Sequence, residues 1–511
     1  MQVPYLPNNL SGNRVEIVQM RGVNWSDALQ NGDLRDGLNL SARRWPFIST
    51  RKGREKQTTY HDATAMTAWS KLVVVQGTNL LYDGEVVGTV TAGKKQFAVV
   101  NTKMVIWPDK VYLDMQTLTV KPLAAEQTGT GATFTENTMT VSGWANLTNK
   151  FKAGDCVTIT GCTSKSENNK DVVIKSITSN SITVRDNGFA AGTETGSIKL
   201  ERKIPDMDFI CESENRLWGC SSTAQTVYAS ALGDPTNFYV YESLSTDSYA
   251  LAVGTEGNFT GCCKLSSSIL FWKETKLHKM LGSYPAEYAM YTYEMEGLQA
   301  GCHKSQQVIN DTLFYKGVHG VYAYSGGTPT LISGAFGERE FSEAVAGTDG
   351  DSYYLSIKDG NAWRLLVYET KYGIWVPEDN TNVVDFARMG KKLYFLDSAG
   401  DVYLMDGAAT PNSQQWAAQF APMYETMHGR KMYSKLLLRL ELPKGSYLTV
   451  KTRFDGKPWE EHKRIVGRDN DVVPLRIPTN RCDKFELRME GTGECTVLGI
   501  SREFTVGSDA G

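Results

Sequence analysis

Six basic side chains crowd one short stretch of this 511-residue chain. Arg43, Arg44, Arg51, Lys52, Arg54 and Lys56 fall within fourteen positions, opposed by Glu55 alone, with Trp45, Pro46 and Phe47 between them. Guanidinium forks and ammonium groups beside aromatic rings suit a carboxylate- or phosphate-bearing ligand. The cluster is therefore a candidate partner contact, and a protein partner fits better than nucleic acid. A solvated loop closing onto the first repeat of the chain accounts for the same residues.

Other reactive side chains are scattered. The nine cysteines include no Cys-x-x-Cys pair, and none of the six histidines shows the i, i+4 spacing of a helical zinc site. The cysteines are expected to be reduced and mostly buried, with the adjacent Cys262 and Cys263 on opposite faces of a strand. Asp349-Gly-Asp351 and Asp469-Asn-Asp471 have the look of calcium-loop fragments, but each lacks the later ligands. No metal and no cofactor is assigned. The chain has no phosphate loop, no His-Glu-x-x-His and no nucleophile elbow. Ser398-Ala-Gly-Asp401 has the outline of the aspartate-box turn of sialidases, although a plain hairpin turn is the simpler reading. Carboxylates are plentiful, yet no acid–base pair stands out. No catalytic residue is assigned, and the chain is expected not to be an enzyme.

The elements that must carry these residues are strands. Apolar residues make up 41% and charged residues 22%, which is globular composition, and 47 glycines with 24 Tyr, 18 Phe and 11 Trp favour turns and pleated strands. Hairpins recur as Lys71–Tyr82, Lys103–Tyr112, Asn215–Tyr228, Ser268–His278, Asp311–Tyr324, Trp363–Trp375 and Lys391–Leu404. Each has a β-branched or aromatic run, a short turn with Gly, Asn or Asp, and a second run. Such hairpins need stacked neighbours to be stable, and four-stranded blades around an axis satisfy that need. The spacing predicts an all-β chain with a β-propeller of about seven blades in two parts, 61–124 and 204–408. Residues 1–60 are expected to be an N-terminal arm with the first propeller strand. Residues 125–203 read as an inserted small β-barrel, or a small sandwich, of five strands that opens with the polar stretch Glu126–Gly131. Residues 409–422 read as a linker, and 409–511 as a C-terminal β-sandwich. No run of 18 apolar residues is present, so no membrane span is expected, nor is a Sec-type signal peptide.

The formal charge of −3 conceals a division. Residues 1–60 carry 9 basic and 5 acidic groups, and residues 409–511 carry 16 and 13. The middle, residues 61–408, has 29 basic and 39 acidic groups, net −10. A chain with an overall balance of −3 is not a generic binder of polyanions, and the division also fits ordinary variation of surface charge.

Two segments resemble a known family. Glu214-Asn-Arg-Leu-Trp-Gly219 followed by Thr226-Val-Tyr-Ala-Ser-Ala-Leu-Gly-Asp-Pro-Thr-Asn-Phe238 is similar to a segment of the tail-nozzle, or packaged-DNA stabilisation, proteins of short-tailed bacteriophages. Leu34–Leu40 and Arg43-Arg-Trp-Pro46 resemble the stretch before their first blade, while the insertion departs from the simplest version of the family. The resemblance implies a structural virion protein, made in the host cytoplasm and assembled as a ring of six around the DNA channel. Implied partners are further copies of the chain, the portal or adaptor, and tail fibre or spike proteins. Double-stranded DNA would pass without specific binding, since cationic walls would hold it by releasing counterions whereas acidic blades repel phosphate. A glycan-binding receptor-recognition protein is the alternative, and a glycan-cleaving propeller a third reading.

Overall fold

In the computed structural model of the protein, the described residues are 13–185, 188–425, 429–478 and 481–506. Among them there is no α-helix, only strands and four single-turn 3-10 helices. The chain divides into two compact units. One holds the residues up to His61, His319–Tyr324 and the chain from Thr330 onward; the other holds Asp62–Val318 and Ser325–Pro329.

The second unit is a series of four-stranded antiparallel meanders, which is how a propeller blade is built. They span residues 63–89, 96–122, 209–252 and 261–294. A hairpin, Gln307–Ile309 with Thr312–Gly317, follows. Central strands are buried on both faces, as in Ser268–Trp272 and Arg216–Ser221, because each sheet is packed between neighbours. One apolar core joins the first two sheets through Val73, Val75, Met104 and Ile106. The next joins the second and third through Val105, Trp107, Ile210 and Leu217. A further core joins the third and fourth through Trp218, Val227, Ile269 and Phe271. All nine cysteines are free. Cys262 is buried in the last of these cores, while Cys263, on the opposite face of the strand, is half-buried.

Between the second and third sheets, Ala125–Arg202 form a closed barrel of six strands rather than five. The added strand is Ala125–Phe134, whose N-terminal half reads as a polar opening stretch. At Gly129 a barrel residue from elsewhere fills the space: an added Cβ would collide with the indole of Trp144. Trp144 donates its Nε1–H to Thr128 O at 2.9 Å.

The first unit contains two more four-stranded sheets and the hairpin Gly320–Tyr324 with Thr330–Leu331. One sheet spans residues 341–379. The other joins Val383–Met389, Lys392–Asp397 and Asp401–Ala408 to Gly53–Thr59, a strand from the far end of the chain. They pack through Tyr354, Val367, Leu393 and Phe395. Gly347 sits where the ring of Phe386 crosses the sheet, and an added Cβ would lie 2.5–2.8 Å from that ring's atoms. Gly347→Ala is accordingly expected to destabilise this unit by about 1–3 kcal/mol through overpacking. A denaturant midpoint within error of wild type would contradict that packing.

The first unit also holds two larger sheets, of seven and six strands, around one core. Lys431–Leu442 and Thr496–Val506 form the middle of one; Tyr447–Phe454 and Phe485–Thr492 form the middle of the other. Leu436, Leu438, Ile500 and Phe504 meet Leu448, Val450, Leu487 and Met489 inside. Strands of the N-terminal segment are built into both sheets. Asn13–Ile17, Leu40–Ser41 and Ile48–Thr50 join the seven-stranded sheet, while Gly22–Val23 and Asp33–Leu38 join the six-stranded one. Gln415–Phe420, within the stretch read as a linker, is a strand of the same six-stranded sheet. Residues 1–12 of the expected arm lie outside the described residues.

Candidate functional site

The long connection after strand Thr226–Ala229 holds the segment that bears the family resemblance. Asp234 turns the chain on itself: its Oδ1 accepts from Thr236 N–H at 3.2 Å and from the Thr236 hydroxyl at 2.7 Å. Its Oδ2 accepts from Asn237 Nδ2 at 2.6 Å. This is the local hydrogen bonding for which Asp and Asn are favoured in turns. Asn237 then reaches out of its own sheet. Its Nδ2 donates to Asp155 Oδ1 at 3.1 Å, and its Oδ1 accepts from Cys156 N–H at 3.3 Å. Both contacts fall at the start of barrel strand Cys156–Thr160.

Asp155 is fully buried and also accepts from Lys152 N–H at 3.1 Å. Its remaining charge is met by Arg202, 6% exposed, through an ion pair with Nη1. The same guanidinium donates from Nε and Nη2 to Leu123 O, at 3.2 and 2.9 Å, and from Nη1 to Lys150 O at 3.3 Å. Leu123 lies where the chain leaves the second sheet, and Arg202 is the last residue of the barrel. One side chain thus ties the entry of the insertion to its exit, and Asp155 and Asn237 tie both to the third sheet. A planar five-donor fork is the side chain suited to holding several acceptors at once.

Around this buried centre lies a ring of charge. Lys152 Nζ is 2.6 Å from Asp234 Oδ2, Lys103 Nζ is 3.8 Å from Asp234 Oδ1, and Arg185 pairs with Glu242. Burial alone would raise the Asp234 pKa, but Lys152, the Thr236 hydroxyl and Lys103 outweigh it and bring it down to about 2. A carboxylate with a depressed folded pKa contributes stability above its unfolded value and loses it as pH falls through the folded one. The Asp234 contribution, roughly 2 kcal/mol, is therefore complete above about pH 4 and fades towards pH 2. Asp234→Asn is expected to flatten the stability profile in that window, as read from denaturant unfolding at a series of pH values. An unchanged slope would show that Asp234 is not ion-paired in solution.

The basic cluster has a different setting. Arg54 donates from Nη2 to Glu378 Oε2 at 2.6 Å, pairs through Nη1 with Asp379 Oδ2 at 2.7 Å, and lies 4.9 Å from the ring centre of Phe395. Arg51 lies 3.8 Å from each of the same acids and donates to Asn39 Oδ1 at 2.7 Å. Burial opposes both charges. It prevails at Arg51, lowering its pKa, while at Arg54 it is outweighed by Glu378 and Asp379 and the pKa is raised. Arg43 pairs with Asp406, Arg44 with Glu441 and Lys56 with Asp401, while Lys52 is exposed. Trp45 stacks on Tyr372 at 4.5 Å. The structure gathers Arg51 and Arg54 about Glu378 and Asp379 but does not bring the six cations into one open patch. Five of them meet acids of their own unit.

The remaining sequence candidates are turns. Asp397 Oδ1 accepts from Ala399 and Asp401 N–H, each at 2.9 Å, so Ser398–Asp401 is a hairpin connection. Asp349 Oδ1 likewise accepts from Asp351 and Ser352 N–H at 3.0 and 2.9 Å. The side chains of Asp469, Asn470 and Asp471 lie outside the described residues. Among the described residues no group of three His, Cys, Asp or Glu could hold a metal ion. No helix of the described residues is long and apolar enough to cross a membrane. The residues that sequence reasoning missed are Asp155 and Arg202. Their signal is faint: Asp155 follows the turn residue Gly154, and Arg202 stands at the close of the inserted segment.

No family profile and no curated protein matches the chain. Among solved structures it is similar to Hsv2 of Kluyvelomyces marxianus at 11% identity, covering 56% of this chain and 93% of that one with a TM-score of 0.29. It is similar to Hsv2 of Kluyveromyces lactis at 8% identity, covering 73% and 98% with a TM-score of 0.32. It also matches an exo-beta-1,3-galactanase from Phanerochaete chrysosporium at 9% identity, covering 56% and 92% with a TM-score of 0.21. None of these scores lends the chain an activity. They do correct one expectation: an enzyme stands among the matched structures, so the exclusion of catalysis drawn from missing sequence motifs is withdrawn.

Proposed function

We propose that this chain is a structural protein of a bacteriophage tail, a ring-forming nozzle that surrounds the DNA channel, retains the packaged genome and attaches other tail parts. In this reading the four-stranded sheets form a seven-bladed propeller. Strand Gly53–Thr59 completes the last blade of the chain. The observation that carries the reading is the use made of the family-like segment Thr226–Phe238. Its polar side chains Asp234, Thr236 and Asn237 are spent on the turn and on holding the barrel, as suits a rigid part within an assembly. The net charge of −10 over residues 61–408 supports a channel that DNA passes without adhering.

A nonsense mutation in this chain's coding sequence tests the proposal. Particles assembled without the chain are expected to package DNA and then lose it, and to lack fibres or spikes. Particles that keep their genome and eject it normally would refute the assignment.

A further inference from the structure

Beside the buried anchor of the barrel lies an open cleft of about 480 Å³ in the second unit. Four stretches of chain converge on it. They are the barrel exit with Glu201, Lys203 and Asp206, the turn with Lys110, the turn Ser221–Ala224, and the connection carrying Tyr239, with Tyr228 beside them. Lys110 fixes the wall on one side: its Nζ donates to Ile204 O at 3.3 Å and pairs with Asp206. Trp107 Nε1 donates to Met207 O at 2.6 Å just beyond. The walls are therefore formed before any ligand arrives.

We propose that this cleft binds a neutral oligosaccharide of two or three sugar units. The inference does not rest on the tail reading and holds whatever the chain assembles into.

Three features of the lining select this class. First, Tyr228 and Tyr239 are half-buried with their rings packed against the core beneath. Neither hydroxyl has a hydrogen-bond partner among the described residues, so both can serve a ligand. Burial pushes the Tyr239 pKa up to about 12, which keeps it a donor. Pyranose faces present polarised C–H groups that suit the negative face of an aromatic ring, while their hydroxyls require donors and acceptors at the rim. Second, the charged lining balances, with Lys110 and Lys203 against Glu201 and Asp206. A phosphate or a polyanion would find no net attraction there. Third, the volume of about 480 Å³ lies within the range of small-ligand sites and is open to solvent, which leaves room for a short oligosaccharide.

The test uses the full-length protein with maltotriose, cellotriose and chitotriose, each at about 10 mM, and a heparin tetrasaccharide as the anionic arm. Saturation-transfer NMR is expected to show binding of at least one neutral trisaccharide and none of the heparin fragment. Tyr239→Ala is expected to weaken that binding at least about tenfold. Thr223→Trp, at an exposed position on the rim, is expected to block it without disturbing the core. Tyr291→Ala, on an exposed strand of the 261–294 sheet, should leave it unchanged. No binding by any neutral probe would overturn the proposal. So would binding unaffected by Thr223→Trp, or preference for the heparin fragment.

Discussion

Arg202→Ala is expected to destabilise the second unit by about 3–5 kcal/mol. The substitution leaves Asp155 fully buried with its charge unpaired, and it frees Leu123 O and Lys150 O from their donors. Removing one member of a buried pair leaves the desolvation penalty of the other uncompensated. Unfolding of a chain with several units need not be one transition, so the measurement should follow the barrel itself. Hydrogen exchange at the amides of Cys156–Thr160 and Gly192–Arg202 is suitable. The double replacement Asp155→Leu with Arg202→Met should recover part of the loss, because no unpaired charge remains inside. If Arg202→Ala alone changes exchange by less than about 1 kcal/mol equivalent, the guanidinium does not hold the barrel.

Arg54→Ala is expected to have an effect of similar size, about 3–5 kcal/mol, on the other unit. Arg54 is the nearest cation to both Glu378 and Asp379, and Arg51 at 3.8 Å is too far to replace its two short contacts. Phe395 loses the cation over its ring as well. The strand that carries Arg54, Gly53–Thr59, is the fourth member of its sheet and comes from a distant part of the sequence. Its amides should therefore lose protection first, ahead of those in Lys392–Asp397. Equal protection in the variant and the wild type would mean that backbone pairing alone secures the strand. Arg54→Lys should restore only part of the stability, since an ammonium cannot meet two carboxylates in the forked geometry.

The repeated hairpins were legible because their information is local. Ser268–Trp272 and Lys276–Leu281 show in their own letters an apolar run, a short turn and a second run, and they pair with each other. The first barrel strand was not legible, because its Gly129 makes room for Trp144, which lies more than a dozen residues downstream. The N-terminal strands failed for a related reason. Asn13–Ile17 pairs with Ile500–Phe504, and Leu34, besides its nearby partner Val23, pairs with Phe420, so most of what makes these residues a sheet lies far along the chain. The basic cluster shows the same limit in its chemistry. Its density suggested an external acidic partner, but the carboxylates that meet Arg44 and Arg54 are Glu441 and Glu378, 397 and 324 positions away. In the segment Thr226–Phe238, the residue types could not say that the task of Asn237 was to hold another domain.

The most direct test of the tail-ring account is the mass and shape of the purified chain. Sedimentation combined with electron-microscope images is expected to show a closed ring with an axial opening. Its mass should be about 340 kDa, that of six chains of 56.6 kDa each. A particle that remains at 56.6 kDa at every concentration and never joins virions would contradict it.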